Sequence, residues 1–272
     1  MLLGRGIMIN WNNVAPEHRA AYDAWHCGEH MVGRLTIPGF RRGRRYIAAS
    51  YEPPRSGGDS TLPSPPGRRV GDEGSDATLS VATRATRAVA SLPEQARRNF
   101  LTMYEVADLE VLTGADYLAK ANSPSPLTLR TTPLVRDSIR GLSRVRASFG
   151  PGTGGFALTL RFDPKAGYED ALELYLAQQA LPQIAQRADI VGAHLIVADK
   201  TASAMTPVER QGRPTLIPNW IVLIEGITLA AVNNAGDAAL SAALLTANGC
   251  ADAIERDSYA LQFTLSSVRD KS

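Results

Sequence analysis

Cysteine is scarce: the 272 residues hold two, Cys27 and Cys250. Thiols so few and so far apart make no disulfide framework and match no metal-ligand spacing, the usage expected of a reduced, cytoplasmic protein. Long apolar runs are missing too; none approaches the ~18 residues of a membrane-spanning helix. The N-terminus "MLLGRGIMIN" lacks a secretory layout, because Gly4, Arg5 and Gly6 break its hydrophobic part. Charge of one sign is not in excess either. A formal net charge of +2 excludes nucleic acid and membrane as the expected partners. What remains is 44% hydrophobic and 21% charged, the composition of a soluble globular protein.

Along the chain, "GIMINWN" reads as a strand. Pro16 and Glu17 then open a helix with apolar residues at Ala20, Ala24, Cys27, Met31 and Leu35. "IPGF" ends it and "RRGRRYIAA" is a second strand. From about 52 to 97 the sequence turns to Pro, Gly, Ser, Thr and Arg, a composition that cannot offset its ordering entropy; a disordered insertion is expected, with a weak helix at "TLSVATRATRAVASL". "NFLTMYEV" is a strand, "LEVLTGADYLAKA" a helix, "SPSPLTLRTTP" a loop and "SRVRASFG" a strand. After Gly150 the order strand, helix, strand, strand, helix, strand returns.

Two segments match across the halves: "NFLTMYEV" with "NWIVLIEG", and "GRRYIA" from Gly43 with "GAHLIV" from Gly192. Between these landmarks the first half is longer, and the excess falls in the low-complexity stretch. An internal duplication is expected. Each βαββαβ half has the ferredoxin-like plan, an antiparallel sheet with helices on one face, and two such sheets cover each other by packing face to face. The fold class expected is therefore α+β: tandem ferredoxin-like units, residues 1–150 and 151–272, forming a pseudo-dimer within one chain. Further homo-oligomerisation stays open. The segment "WHCGEHMVGRLTIPGFRRGRRY", Trp25 to Tyr46, resembles the EthD-like group of the dimeric α/β-barrel superfamily, in which such units share a barrel. The resemblance implies a pocket between helices and sheet, lined by a few His, Tyr, Trp or Arg side chains. It also implies chemistries that include cofactor-independent oxygenation, cyclisation and isomerisation, with haem-binding branches.

The stretch "YDAWHCGEHM" concentrates the candidates. At about 100° per residue, the apolar stripe puts Tyr22, His26 and Glu29 on the far side of the helix, away from the sheet. Gly28 is expected to end or bend the helix, freeing His30 to enter the cleft with Glu29 orienting its ring; an imidazole there titrates near neutrality and can move a proton. His26 and His30 have the i, i+4 spacing of a metal pair, but no HExxH arrangement and no evident third ligand beyond His18 or Asp23. The catalytic candidates are thus His30, Glu29 and His26, with neither metal nor organic cofactor. The substrate-binding candidates are Tyr22, Trp25, Trp11, Arg45 and Tyr104. "RRGRRY" is read mainly as a solvated edge strand, with Arg41 and Arg45 on one face. Glu105 and Glu225, matched across the halves, are assigned to the central interface. Setting Gly43 against Gly192 places Tyr175, Gln178 and Gln179 opposite His26, Glu29 and His30.

The function expected is that of a small-molecule enzyme doing proton-transfer chemistry of isomerase, cyclase or lyase type, or cofactor-free oxygenation, on a hydrophobic carbonyl or aromatic compound. The rivals are a ligand-binding or scaffold protein and a haem protein with a histidine axial ligand.

Overall fold

The structure is a computed structural model and describes residues 1–50 and 98–267. The expected insertion at about 52–97, with its weak helix, lies outside the described residues. Eight strands run β1 (Gly6–Val14), β2 (Phe40–Ala48), β3 (Phe100–Val106), β4 (Val135–Phe149), β5 (Phe156–Phe162), β6 (Ile190–Ala198), then, after the two-residue β7 (Thr215–Leu216), β8 (Trp220–Gly226) and β9 (Glu255–Ser266). Their hydrogen-bonded order is β1-β3-β2-β9-β5-β8-β6-β4, and β4 pairs back with β1, so the sheet closes into a barrel. The order β4-β1-β3-β2 in the first half is the order β9-β5-β8-β6 in the second. No helix among the described residues is long and apolar enough to cross a membrane.

Alternation along each strand sorts side chains to two sides of the barrel wall. Ile7, Ile9 and Trp11 of β1 face inward with Leu101, Met103, Ile221 and Leu223, forming the barrel core. Met8, Asn10 and Asn12 face outward, toward the helices. Outward residues of the second half, among them Leu158, Leu160, Val222 and Ile224, pack on Leu172, Leu176 and Leu181 as a continuous apolar layer.

β2 overturns the edge-strand reading. It lies between β3 and β9, and Arg44 and Arg45 are 0% and 1% exposed. Buried guanidiniums persist only when paired. Arg44 points into the barrel, where it pairs with Glu105 (2.8 Å) and with Glu225, and donates to Tyr46 Oη (2.8 Å). Arg42 adds a second cation to Glu105 (2.8 Å), and His194 Nε2 lies 3.3 Å from Glu225. Burial works against the charge of Glu225, but Arg44 and His194 outweigh it and hold the carboxyl at about 2.

The strand register also corrects the match between halves. Arg42 sits opposite Glu105 and Gly192 opposite Glu225, each just after a bulge. Arg44 therefore corresponds to His194 and Gly43 to Ala193, one residue off the glycine-to-glycine alignment. A one-residue slip reverses every side chain's face, so this shift decides what stands opposite the histidines. The segment expected as the loop "SPSPLTLRTTP" contains a helix, Pro126–Thr131, whose Ser125 N-cap hydroxyl accepts from Thr128 N (3.0 Å).

Candidate functional site

The first helix is built in three pieces. α1 (Arg19–Trp25) runs into a π turn, His26–His30, which continues as α2 (Met31–Arg34). Met31 N–H donates to His26 O, five residues back. This wide turn takes up an extra residue, so the helical phase slips by about 100° across it. Tyr22, Trp25 and His26 form the buried face before the turn, and Met31, Arg34 and Leu35 form it after. A single uninterrupted wheel mixes the two phases, which is why it puts Ala20 and Ala24 inward. Both are exposed, and His26, expected to point away from the sheet, is 3% exposed. Gly28 is not the cause. The second half has the same π turn, Leu176–Ala180, between α3 (Glu169–Tyr175) and α4 (Leu181–Ala185), with Gln178 at the position of Gly28.

The π turn aims both imidazoles into a cleft between this helix and the outward face of β1, β3 and β4. His26 lies within a weak 3.5 Å contact of Thr102 Oγ1, and its Nδ1 is buried without a partner. Burial, and next the Arg45 guanidinium, holds its pKa well below the usual histidine value. His30 is half-buried, with its ring centroid 4.4 Å from that of Trp25. Burial first, then the charge of Arg34, depresses its pKa well below the usual value as well. Both rings are neutral near pH 7, and a neutral ring has a nitrogen lone pair free to take a proton.

Other candidates divide. Tyr22, Trp25 and Tyr104 line the cleft, and the buried Tyr104 hydroxyl has no hydrogen-bond partner. Tyr22 Oη donates to Asn12 Oδ1 (3.4 Å), and Trp25 Nε1 to Thr128 Oγ1 (2.9 Å). Glu29 does not orient His30 by a hydrogen bond; it accepts from Ser125 Oγ and from Thr128 Oγ1 (3.3 Å) on the neighbouring helix. The Trp11 ring is turned the other way, into the barrel, with the Arg161 guanidinium 4.5 Å from its centroid. Arg45 is not a lining residue. It pairs with Asp23 and lies 4.7 Å from the Tyr22 ring centroid, behind the cleft wall. Asp23 is thus taken up by Arg45 and Arg19. Among the described residues no three His, Cys, Asp or Glu side chains assemble as a metal-binding set.

Sequence reasoning missed the cations. Arg34, Arg140, Arg210 and Arg213 all line the cleft, and Glu209 is paired with Arg34. Arg34 was legible, being four residues beyond His30 on one helix. Arg210 and Arg213 arrive from some 180 residues away, on a segment that β7 fastens beside β4 through Ser138↔Thr215 and Ile139↔Leu216. The second half therefore supplies one wall of the first half's cleft.

The corresponding place in the second half is core. By strand register and π turn, Leu160 and Phe162 replace Asn10 and Asn12, and Val222 and Ile224 replace Thr102 and Tyr104. Leu176, Ala180 and Ile184 replace His26, His30 and Arg34. All seven belong to one apolar cluster.

No family model matches the chain, and no curated protein matches it. Solved structures do. An anthrone oxidase-like protein is 9% identical, with 98% of this chain and 94% of that one covered and a TM-score of 0.58. A protein provisionally described as a monooxygenase, from Fusobacterium nucleatum subsp. nucleatum, is 8% identical, with 97% and 96% covered and a TM-score of 0.52. The likeness is one of fold, an α+β protein built on a closed antiparallel barrel.

Proposed function

We propose that the first-half cleft is the active site of a small-molecule enzyme that works by proton transfer on an enolisable carbonyl or phenolic compound. The observation that carries this reading is the contrast between halves. Positions that are apolar core in one half hold two neutral imidazoles, two asparagines, a threonine, a tyrosine and an arginine in the other. Buried polar groups cost stability unless satisfied, and several of these are not, which fits a site whose partners arrive with the ligand. We read the chain as two fused ferredoxin-like units, the first kept for chemistry and the second as scaffold; the EthD-like resemblance of Trp25–Tyr46 falls on the chemical half.

In this mechanism a nitrogen of His30 takes the proton from a carbon beside a carbonyl, or from a phenol. The C–H electron pair moves into the carbonyl, and the Arg34 guanidinium, whose buried Nη1 has no partner, donates to the resulting enolate oxygen. Return of the proton at another carbon completes an isomerisation. Attack of the enolate carbon on a second carbonyl of the same molecule, whose π electrons move to its oxygen and take up the proton from His30, closes a ring instead. The likeness in fold to an anthrone oxidase-like protein and to one described as a monooxygenase favours a second outcome for the same carbanion. It reduces dioxygen, one oxygen atom ending in a new carbonyl and the other in water.

The test is solvent exchange. Anthrone and a set of cyclic 1,3-diketones are incubated with protein in D2O; loss of the methylene proton signal and dioxygen uptake are followed. His30→Gln and His30→Ala should each slow exchange by about 10²-fold or more. Wild-type rates in both variants sink the assignment.

A further inference from the structure

The cleft is overcharged. Arg34 is matched by Glu209, but among the described residues Arg140, Arg210 and Arg213 have no carboxylate within ion-pair distance. Arg140 donates to Tyr117 Oη (2.8 Å) and Arg210 to Thr215 Oγ1 (2.6 Å), both neutral partners. Arg213 Nε and Arg34 Nη1 are buried with no partner, and Arg34 and Arg140 are themselves 3% and 2% exposed. Burial, with Arg140 and Arg213 beside it, drives the Arg210 guanidinium down to about 9. Uncompensated cations gathered in one cleft, with Arg34 and Arg140 buried and Arg210 and Arg213 partly exposed, are unfavourable on their own account. They become favourable when an anion joins them.

We propose, on the reading that this cleft is the ligand site, that its substrate is an aromatic carboxylic acid. Its carboxylate would be held by Arg210 and Arg213, and its ring would lie against Trp25 and Tyr104. A carboxylate is the anion of choice because the cleft already seats one: Glu209 on Arg34. Two coplanar oxygens match the guanidinium fork. The aromatic part follows from the rings at hand, Trp25 tilted by 36° against His30 and Tyr104 6.4 Å from His30 by centroids.

Binding is measured by calorimetry at constant ionic strength, using salicylate, benzoate and 2-naphthoate against their amides and against inorganic phosphate. The acids should bind at least tenfold tighter than the matched amides. In the double variant Arg210→Met/Arg213→Met that preference should vanish, with folding checked by its melting temperature. The proposal is overturned if no acid binds, if amides bind as well as acids, if phosphate binds and the acids do not, or if the folded double variant keeps the preference. Failure here with His30-dependent exchange of neutral ketones intact would remove the carboxylate and leave the proton-transfer reading standing.

Discussion

His26 shows how a single side chain couples the site to solution conditions. Its ring faces Tyr22, Thr102, His30 and Phe263, with the charge of Arg45 close by. Because its pKa in the folded protein lies well below 6.5, the unfolded chain binds a proton on acidification before the folded one does. Stability is therefore full above about pH 6.5 and falls as pH drops through the window between that value and the folded pKa. His30 acts in the same sense. The melting temperature should thus decline between pH 7.5 and 5.5. His26→Leu, which copies Leu176, should flatten that decline, and a variant as acid-sensitive as wild type would contradict it. The acid limb of kcat/KM should likewise lie below 6.5 in a pH–rate profile, since the base stays unprotonated there. His30, Trp25 and Tyr22 drew notice in the sequence because chemistry-bearing side chains cluster in a few turns of one helix, and Tyr104 separately as an aromatic on a strand; the inward direction of Tyr22 was not legible. Nor was the direction of His26, since it depends on a hydrogen-bond pattern that leaves no mark in composition.

The π turn is what gives the first helix two inward faces. Deleting Gly28 should let the segment close as an unbroken α-helix with Met31 and Leu35 still in their core positions, because the π turn absorbs one extra residue. Denaturant unfolding should therefore change little, while the backbone that carries His30 is rearranged and solvent exchange should slow. Deleting Gln178 should likewise leave stability nearly unchanged, with exchange in the first cleft at the wild-type rate. A loss of about 3 kcal/mol or more in either variant, the usual cost of emptying a large apolar site, would contradict this account of the turn. Strands were readable from their alternation, and the element order followed. The register of β2 was less so: a glycine in each half invited a match one residue off, because a bulge beside each is invisible to a ladder drawn from identities. The loop carrying Arg210 and Arg213 gave no local signal at all, since its relevance comes entirely from β7 pairing with β4.

Across the whole barrel, the interior network around Arg44 ties the halves together. Arg44→Met would leave Glu105 with Arg42 and Glu225 with a neutral histidine, both fully buried. A loss of about 3–5 kcal/mol is expected, measurable by urea unfolding. The double variant Arg44→Met/Glu225→Gln should recover part of it, because the stranded charge is then gone. A single variant that unfolds like wild type would mean the network is redundant. The shared barrel was inferable from two half-sheets each needing a cover; its charged interior was not, because arginines in "RRGRRY" read as solvated until β2 is known to be central.

The same network has a consequence for symmetry. Around a true twofold axis, side chains come in equal pairs, so an arginine facing one glutamate must face a second arginine across the axis. Here one guanidinium serves two carboxylates and an imidazole stands where its twin would be. That odd count is open only to a chain in which each position is encoded once. A substitution can then fall on one side of the axis alone, and the two sides are free to drift toward different tasks without either ever having to satisfy its own mirror image.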